Sequence, residues 1–537
     1  MIQNVLRALR NIDSRIIFAA LVISLFLLNY YSKTLFYGPC GPHQWRQADC
    51  LSITKNYYEE GMHFFHPKIH FQGVKEGRAV SEFPILNYTV AALWKVFGQH
   101  EFIYRLLEYL IFIAAMFTLF NTLLAGFRSS LLAFFATGVF LTSPLLVYYS
   151  ANFIADVPAL SLGIISFCLF YRFYHHQTLR HFYLSLLFGT LAVLIKASAL
   201  MPVCILFFFS LASLPALQRI FKTRALFQKP LLPFLSIGVS ALLVFAWYRY
   251  AIYYNDNNNN NIFLLTVLPI WEMNEPDVIS NLRILLNQLF PVFLNRPVFF
   301  IFITIVLFVV SKFKHLSPFL RYAFLFSGLY FIAYILFFFQ VFSVHDYYLT
   351  NLMIFPVITF FCFAYLLQQS AFLDGNRNFA RLFIVVFLVL SSFHAAAIYR
   401  YRLLENDNML KWSPYITSED LKLSEYLFWD YGNGIKRIEH FSPVLRQHGI
   451  RREQNVISIP DQSFNISLYF LDQKGFTVAR QHLEKDSTVL ERVMSRGAEF
   501  IVLSDTTLKA QRAFSRMMYR LEPMFTEDKV QVFKIKN

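Results

Sequence analysis

The sequence predicts a polytopic α-helical membrane protein ending in a soluble α/β domain, and three observations predict it. Hydrophobic residues make up 56% of the 537 and charged residues only 15%, whereas soluble domains hold charge near a quarter. Apolar runs recur at about the 20-residue length that a bilayer core demands. Beyond about Arg400 those runs stop and charged residues become frequent. Phe alone contributes 63 residues, and the mean hydropathy is +0.46. The net charge of +15 invites a nucleic-acid reading. Yet Lys and Arg cluster in short segments between apolar runs, without a basic, aromatic-interleaved surface stretch, so nucleic acid is not an expected partner.

The first apolar run covers residues 16–31, preceded by Arg7, Arg10 and Arg15. Tyr30-Tyr31-Ser-Lys33 is wrong for signal cleavage, which predicts an uncleaved first helix with its N-terminus in the cytoplasm. Residues 32 to about 100 then form a large outer loop, part of it dipping into the interface. Further runs at about 104–124, 131–149, 157–174, 182–196, 197–215, 231–250, 297–311, 322–342, 348–367 and 382–399 bring the expectation to about eleven spans. The inner loops of that count carry Arg128; Arg172 and Arg180; Arg219, Lys222, Arg224 and Lys229; Lys312, Lys314 and Arg321; Arg377 and Arg381. The short outer turns near 150–156 and 343–347 carry no Lys or Arg, as the positive-inside bias requires. In the outer segment 251–296, Asn255 to Asn261 reads as a mobile tether, and 281–296 as an interfacial helix.

In the C-terminal region, Asn455–Ile459 and Glu499–Leu503 are strand-like, and Lys529–Ile535 alternates with the period of two of a half-buried strand. Leu483–Ser495 is helix-like, and Gly497 marks a break. An odd number of spans places this domain of ~130 residues, a normal single-domain size, on the side of the first loop. The organisation expected is a transmembrane domain over 1–400, whose first extracytoplasmic loop 32–100 carries the polar motif, and an extracytoplasmic α/β domain over 401–537.

The densest polar motif is Gly41-Pro-His-Gln-Trp-Arg-Gln-Ala-Asp49, directly after the first apolar run. Ionisable groups at membrane depth are costly, so each one near a span end is a functional candidate. Asp156 opens a span two residues before Pro158, where a carboxylate also suits the helix dipole. Lys196 interrupts an apolar stretch at an outer turn, where snorkelling is the plain alternative. His345 and Asp346 precede Tyr347 and Tyr348 at another outer helix start, where interfacial tyrosines are ordinary. Glu82 closes the first loop. His43, His63, His66 and His70 crowd that loop, but their spacings fit no strong ligand motif and suit a structural role better. Of the five cysteines, Cys168, Cys204 and Cys362 lie in apolar runs. Cys40 and Cys50 share the outer loop, where an extracytoplasmic setting leaves a disulfide open.

Single-residue explanations account less well for Asp49, Glu82, Asp156, Lys196 and His345 all falling on one expected membrane face. Carboxylates with one lysine at that face suit chemistry on a lipid-linked, phosphate-bearing substrate. A cation meets the phosphate, and a carboxylate takes a proton from an attacking hydroxyl.

In the order of its motifs the chain resembles the GT-C glycosyltransferases related to dolichyl-phosphate-mannose-protein mannosyltransferases and the bacterial lipid A aminoarabinose transferase. The motifs are Ser81-Glu-Phe-Pro-Ile-Leu-Asn-Tyr88 leading to Leu93-Trp-Lys-Val-Phe-Gly98, Arg105-Leu106, Ala155-Asp-Val-Pro158, Lys196-Ala-Ser198 and His345-Asp-Tyr-Tyr-Leu349. The likeness covers most of residues 1–400 and implies a GT-C-type membrane enzyme of the cell envelope. Such an enzyme moves a hexosyl or pentosyl unit from a polyprenyl phosphate to a protein, lipid or glycan hydroxyl, with inversion. It implies Asp49 as general base, Asp156 and Glu82 as support for acceptor or base, and Lys196 as a donor-phosphate ligand. Arg46 stands as a second phosphate ligand, and His345, Asp346 and Tyr347 are secondary candidates. Glu82 matches the glutamate of a Glu-Lys-Pro-Pro element in the aminoarabinose transferases, but Phe83 stands where the lysine would be. That departure removes one expected phosphate contact and counts against a metal role for Glu82, while a divalent metal cofactor stays open. Asp49 is followed by Cys50 rather than by a second acid.

The compact loops favour a bacterial inner membrane, with the site and the C-terminal domain facing the periplasm and an undecaprenyl carrier. The rival readings are a lipid-linked glycan ligase or polymerase and, further off, a secondary transporter. Transporter charges sit at the midplane on broken helices, often with internal repeats, neither of which is evident here.

Overall fold

The computed structural model describes residues 13–260, 262–263, 266–370, 377–403, 416–417 and 435–536. Arg7, Arg10, Asn261, the Arg377 side chain and most of 404–434 lie outside the described residues. The chain divides into two compact units. One comprises 1–36, 105–248 and 266–421, and the other 37–104, 249–265 and 422–537.

The first unit is helical. Among the described residues, six helices of the chain are long and apolar enough to cross a membrane: Phe102–Phe127, Asp156–His176, Leu231–Asn257, Pro318–Phe337, Asp346–Gln368 and Asn378–Arg402. Two bent pairs raise the number to eight if each is one span: Met201–Ala212 with Pro215–Phe221 at 111°, and Glu275–Phe293 with Arg296–Ser311 at 93°. The break in the second has a local cause. Leu294 is extended, and the Asn295 side chain caps a new helix with Pro297 in its first turn, a preferred helix start.

The expectation of about eleven spans exceeds this count because several apolar runs fold as shorter helices. Ser14–Leu28, Ser130–Leu141 and Leu179–Ile195 are apolar but fall short of span length. The run 131–149 is cut where Ser143 accepts from the Leu146 amide and Pro144 starts the helix Pro144–Tyr149. Hydropathy could not see that cut, because the residues on both sides are equally apolar.

The second unit contains a five-stranded mixed sheet of β1 (Val456–Ile459), β2 (Gly475–Thr477), β3 (Phe500–Leu503), β4 (Leu521–Glu527) and β5 (Val530–Ile535). The order is β2-β1-β3-β5-β4. β1 runs parallel to β2 and β3, while β5 pairs antiparallel with β3 and β4. The three runs read as strands from the sequence are β1, β3 and β5. The helix expected over Leu483–Ser495 forms as two, Arg480–Lys485 and Val489–Met494. β1 and β3 are buried along their whole length, as the inner strands of a sheet covered on both faces should be.

The first loop belongs to this same unit. Its main element is the helix Gln44–Glu60, which buries every residue from Gln47 to Tyr57 although many are polar. A polar helix buried all round must find partners for those groups. Gln44 Nε2 donates to the Pro39 carbonyl at 2.7 Å, and Gln47 Nε2 to the Cys40 and Pro42 carbonyls at 2.8 and 3.0 Å. Asn56 Nδ2 donates to the Lys68 carbonyl at 3.0 Å. Further along the loop, the Gln72 amide donates to the Gly475 carbonyl at 2.7 Å and the Gly475 amide to the His70 carbonyl at 3.2 Å. Loop and sheet edge are thus joined through their backbones. A Cβ at Gly475 would lie 1.9 Å from the Val456 carbonyl oxygen, so only glycine lets β2 lie this close to β1.

Two readings change. Cys40 and Cys50 are buried and not joined in a disulfide, with Cys50 fixed inside the helix Gln44–Glu60. The Asn-rich tract is not a tether over its described part. The helix Leu231–Asn257 runs into it, and Asn255 is buried with its side chain accepting from the Val80 amide at 3.1 Å and donating to the Val80 carbonyl at 2.8 Å.

Candidate functional site

Asp49 lies in the first turns of the helix Gln44–Glu60, 3% exposed. Arg46 precedes it by three residues and so shares its face, with Nη1 4.0 Å from Asp49 Oδ2. Arg46 also pairs with Glu82 and donates to Ser81, and its guanidinium lies 5.1 Å from the centre of the Phe263 ring. Asn465 reaches Asp49 from the C-terminal part of the same unit, donating to Oδ1 at 3.3 Å.

These surroundings set the acidity of Asp49. Burial pushes its carboxyl up, to about 7; Arg46 and the Asn465 hydrogen bond act against burial, and Glu82 and Asp461 add to it. Desolvation disfavours the charged form, and the nearby cation recovers only part of that cost. A carboxyl poised near neutral pH suits a general base, which must be deprotonated to act yet hold a proton once it has taken one. Asp461 is a second buried acid, pushed up to about 6 by burial despite its hydrogen bonds to Ser463 and Ser467.

The far end of the same helix carries a separate charge cluster. Lys55 pairs with Asp472 at 2.8 Å, Arg452 with Glu59 and with Asp472 at 3.0 Å, and Glu60 with Lys68 at 3.1 Å and with Lys474. Burial raises Asp472 but Lys55 and Arg452 outweigh it, leaving the carboxyl low, whereas burial of the Lys55 ammonium outweighs Asp472 and lowers it. His70 hydrogen-bonds Ser52, and burial pushes it down to about 3. These groups fasten the loop to the C-terminal segment, and of the four loop histidines His70 takes part. Among the described residues, no group of three or more His, Cys, Asp or Glu is placed to hold a metal ion. The groups in direct contact with Asp49 are a guanidinium and an amide, both donors rather than cation ligands.

The other sequence candidates belong to the first unit. Asp156 is the first residue of Asp156–His176, and Lys196 ends the helix Leu179–Ile195. They form an ion pair at 3.1 Å with Asp156 fully buried. The Lys196 ammonium also sits 5.5 Å from the ring centres of Tyr347 and of Tyr348, within cation–π range. The His345 ring lies 5.3 Å from Tyr347. Asp346 turns elsewhere, accepting from the Tyr149 hydroxyl at 2.5 Å and pairing with Arg402 at 2.9 Å, both groups buried. An apolar groove of about 360 Å³ lies between Met201–Ala212 and Pro318–Phe337, lined by Met201, Cys204, Phe208, Phe326 and Tyr330 among others. It adjoins the Lys196 turn, since Tyr330 donates to the Ser198 carbonyl.

The structure therefore brings together Arg46, Asp49 and Glu82 in one unit, and Asp156, Lys196, His345 and Tyr347 in the other. Sequence reasoning missed Asn465, Asp461, Tyr348 and Arg402. Asp461 and Asn465 stand in the polar run Asp461-Gln-Ser-Phe-Asn465 after β1, and Arg402 stands just past the last apolar run, 382–399.

Residues 81–250 match the dolichyl-phosphate-mannose-protein mannosyltransferase family. No curated protein sequence matches the chain. Among solved structures it is similar to ArnT from Cupriavidus metallidurans in the apo state, with a TM-score of 0.59 at 13% identity over 97% of this chain and 98% of that one. ArnT bound to undecaprenyl phosphate gives 0.57 at 12% identity over 96% and 97%. The chain has the GT-C fold. Arabinofuranosyltransferase AftD from Mycobacteria shares that GT-C fold, with a TM-score of 0.55 at 10% identity over 98% of this chain and 40% of that one. At such identities the likeness carries the GT-C fold, and function rests on the residues.

Proposed function

We propose that the protein is an inverting membrane glycosyltransferase that moves a sugar from a polyprenyl phosphate to an acceptor hydroxyl at the extracytoplasmic face. The observation that carries the reading is Asp49, a buried carboxyl held near neutral acidity beside a guanidinium and a hydrogen-bonding amide. The apolar groove beside the Lys196 turn supports a donor with a long hydrocarbon tail, and the ArnT structure named with undecaprenyl phosphate supports that carrier. All eleven apolar runs cross the membrane in this reading, the shorter helices by local thinning or tilt of their neighbours. That topology puts the first loop and the C-terminal region outside a bacterial inner membrane.

The reaction is a single displacement. Asp49 takes the proton of the acceptor hydroxyl, whose oxygen bonds the sugar C1 as the C1–O bond to phosphate breaks. The electron pair leaves with the polyprenyl phosphate, already an anion, so no general acid is required. The ammonium of Lys196, held by Asp156 beside two tyrosine rings, meets phosphate charge, and the guanidinium of Arg46 is a second cation for it. Glu82 holds Arg46 in place. No step runs through a metal.

Asp49→Asn tests the reading. Mass spectrometry of membrane glycans and glycoproteins, with and without active Asp49, identifies the product and is expected to show its loss while the variant still inserts in the membrane. Full transfer by that variant in isolated membranes overturns the assignment.

A further inference from the structure

We propose that Asn465, supplied by the C-terminal part of the second unit, is the positioning residue that orients the Asp49 carboxylate. The inference rests on the reading of Asp49 as base and adds a residue to it from outside the transmembrane sequence and the first loop.

Asn465 is 1% exposed and stands at the N-cap of the helix Ile466–Leu471. Its turn is fixed on several sides. Asp461 accepts from the Ser463 amide and the Ser467 amide, each at 2.8 Å. Ser463 Oγ accepts from the Asn465 and Ile466 amides at 3.2 and 2.9 Å, and Thr477 of β2 donates to the Ser463 carbonyl at 2.7 Å. A side chain on so constrained a turn is pre-set in direction, the condition for a supporting residue to place another group well.

The two ends of the amide are used unequally. Nδ2 donates to Asp49 Oδ1 at 3.3 Å and to the Ala48 carbonyl at 3.4 Å, both acceptors on the helix Gln44–Glu60. Oδ1 is buried with no donor among the described residues. An asparagine kept for packing alone satisfies both ends. This one is aimed by its nitrogen, and what it aims at is Asp49.

The remaining charged groups that act on Asp49 are Arg46 on its own helix, Glu82 from the first loop and Asp461 from the Asn465 turn. Arg46 is divided, closer to Glu82 than to the 4.0 Å at which it meets Asp49. Glu82 and Asp461 are like charges. The Asn465 amide is therefore the neutral donor that favours the ionised carboxylate without itself being drawn away by a second acid. Without it, Asp49 holds its proton to higher pH and is protonated over more of the neutral range.

The test uses the full-length chain in detergent and a reading that does not depend on transfer. Dicyclohexylcarbodiimide, an apolar reagent, modifies protonated carboxyls, and peptide mass spectrometry follows Asp49 labelling between pH 5 and 9. Labelling in the parent falls with a midpoint near 7. Asn465→Leu, close in volume and without a donor, moves that midpoint up by about half to one pH unit, the scale of one hydrogen bond to a charged group. Asn465→Asp, nearly isosteric, moves it further by adding a like charge, and it serves if the leucine variant fails to fold. In membranes, product formation by either variant falls more at pH 6 than at pH 8.

An unmoved midpoint in a folded variant, a downward shift in both, or absence of labelling in the parent across the range overturns the inference. If the midpoint moves but Asp49→Asn still transfers sugar, the assignment of Asp49 as base is what fails. If Asp49→Asn is inactive and the midpoint is unmoved, the base stands and Asn465 does not support it.

Discussion

Two carboxylates were candidates in the sequence, Asp49 as base and Asp156 as its support, and their surroundings separate them. Asp156 sits fully buried with an ammonium at 3.1 Å, a close pair at a helix start. Asp49 sits buried with its guanidinium at 4.0 Å, and that guanidinium is shared with Glu82. The first arrangement fixes a charge and positions a cation. The second leaves a carboxyl only partly compensated, at about 7, able to exchange a proton near neutral pH. The lesson is that burial alone does not make a base. Burial combined with a distracted partner does.

The largest expected effect breaks the comparison if it fails. Asp49→Asn should lower transfer by roughly 10²–10⁴-fold, the range of general base catalysis, measured as initial rate in membranes at pH 8. In the active parent the rate should rise with pH through about 7, because the deprotonated form is the base. A rate that instead falls through that range excludes Asp49 from the role.

The next effect probes the other carboxylate. Lys196→Met leaves Asp156 buried without that ammonium, and removal of one partner of a buried pair destabilises by about 3–5 kcal/mol. Lys196→Met with Asp156→Leu removes both charges and should recover most of the melting temperature in detergent. If the single and double variants melt alike, the pair is not the buried unit that its geometry describes.

The same contrast shows why part of the site was legible and part was not. Asp49, Arg46, Asp156 and Lys196 could be found because a charge beside an apolar run is improbable without a reason. Their pairing could not, since Arg46 meets Glu82 across 36 positions and Lys196 meets Asp156 across 40. The strands β1, β3 and β5 were legible from period and composition. β2 was not, because Gly475–Thr477 is three residues long and paired through a glycine. Nor was the joining of the loop at residues 70–72 to that edge, since backbone pairing leaves little mark on side-chain pattern. Asn465 was invisible for a further reason: an asparagine after a strand is ordinary turn chemistry, and only its direction makes it more than that.

A smaller effect reads the cost of a poised base as stability. A carboxyl raised from 3.8 to about 7 on folding binds its proton more tightly in the folded state. It therefore costs the folded protein nothing at low pH, and progressively more as pH rises through the unfolded value toward about 7. Asp49→Asn removes that cost. The variant should melt above the parent at pH 8, by the equivalent of up to about 4 kcal/mol, and the difference should shrink as pH falls toward 4. A difference that grows toward low pH carries the opposite sign and contradicts the burial of Asp49 as an acid.

The smallest effect sharpens the comparison most, because it changes the partner and leaves the base alone. Glu82 competes with Asp49 for Arg46 and repels it as a like charge. Glu82→Gln removes the repulsion and weakens the hold on the guanidinium, and both changes favour ionised Asp49. The acid limb of the rate profile should therefore move to lower pH by about half a unit, on the scale of one screened charge interaction, with the plateau rate little altered. The neutral amide introduced by that substitution can still accept from Arg46, so the loop keeps its anchor. A limb that stays in place means Glu82 and Arg46 act as a closed pair, and Asp49 would then resemble Asp156 in having its surroundings fixed rather than shared.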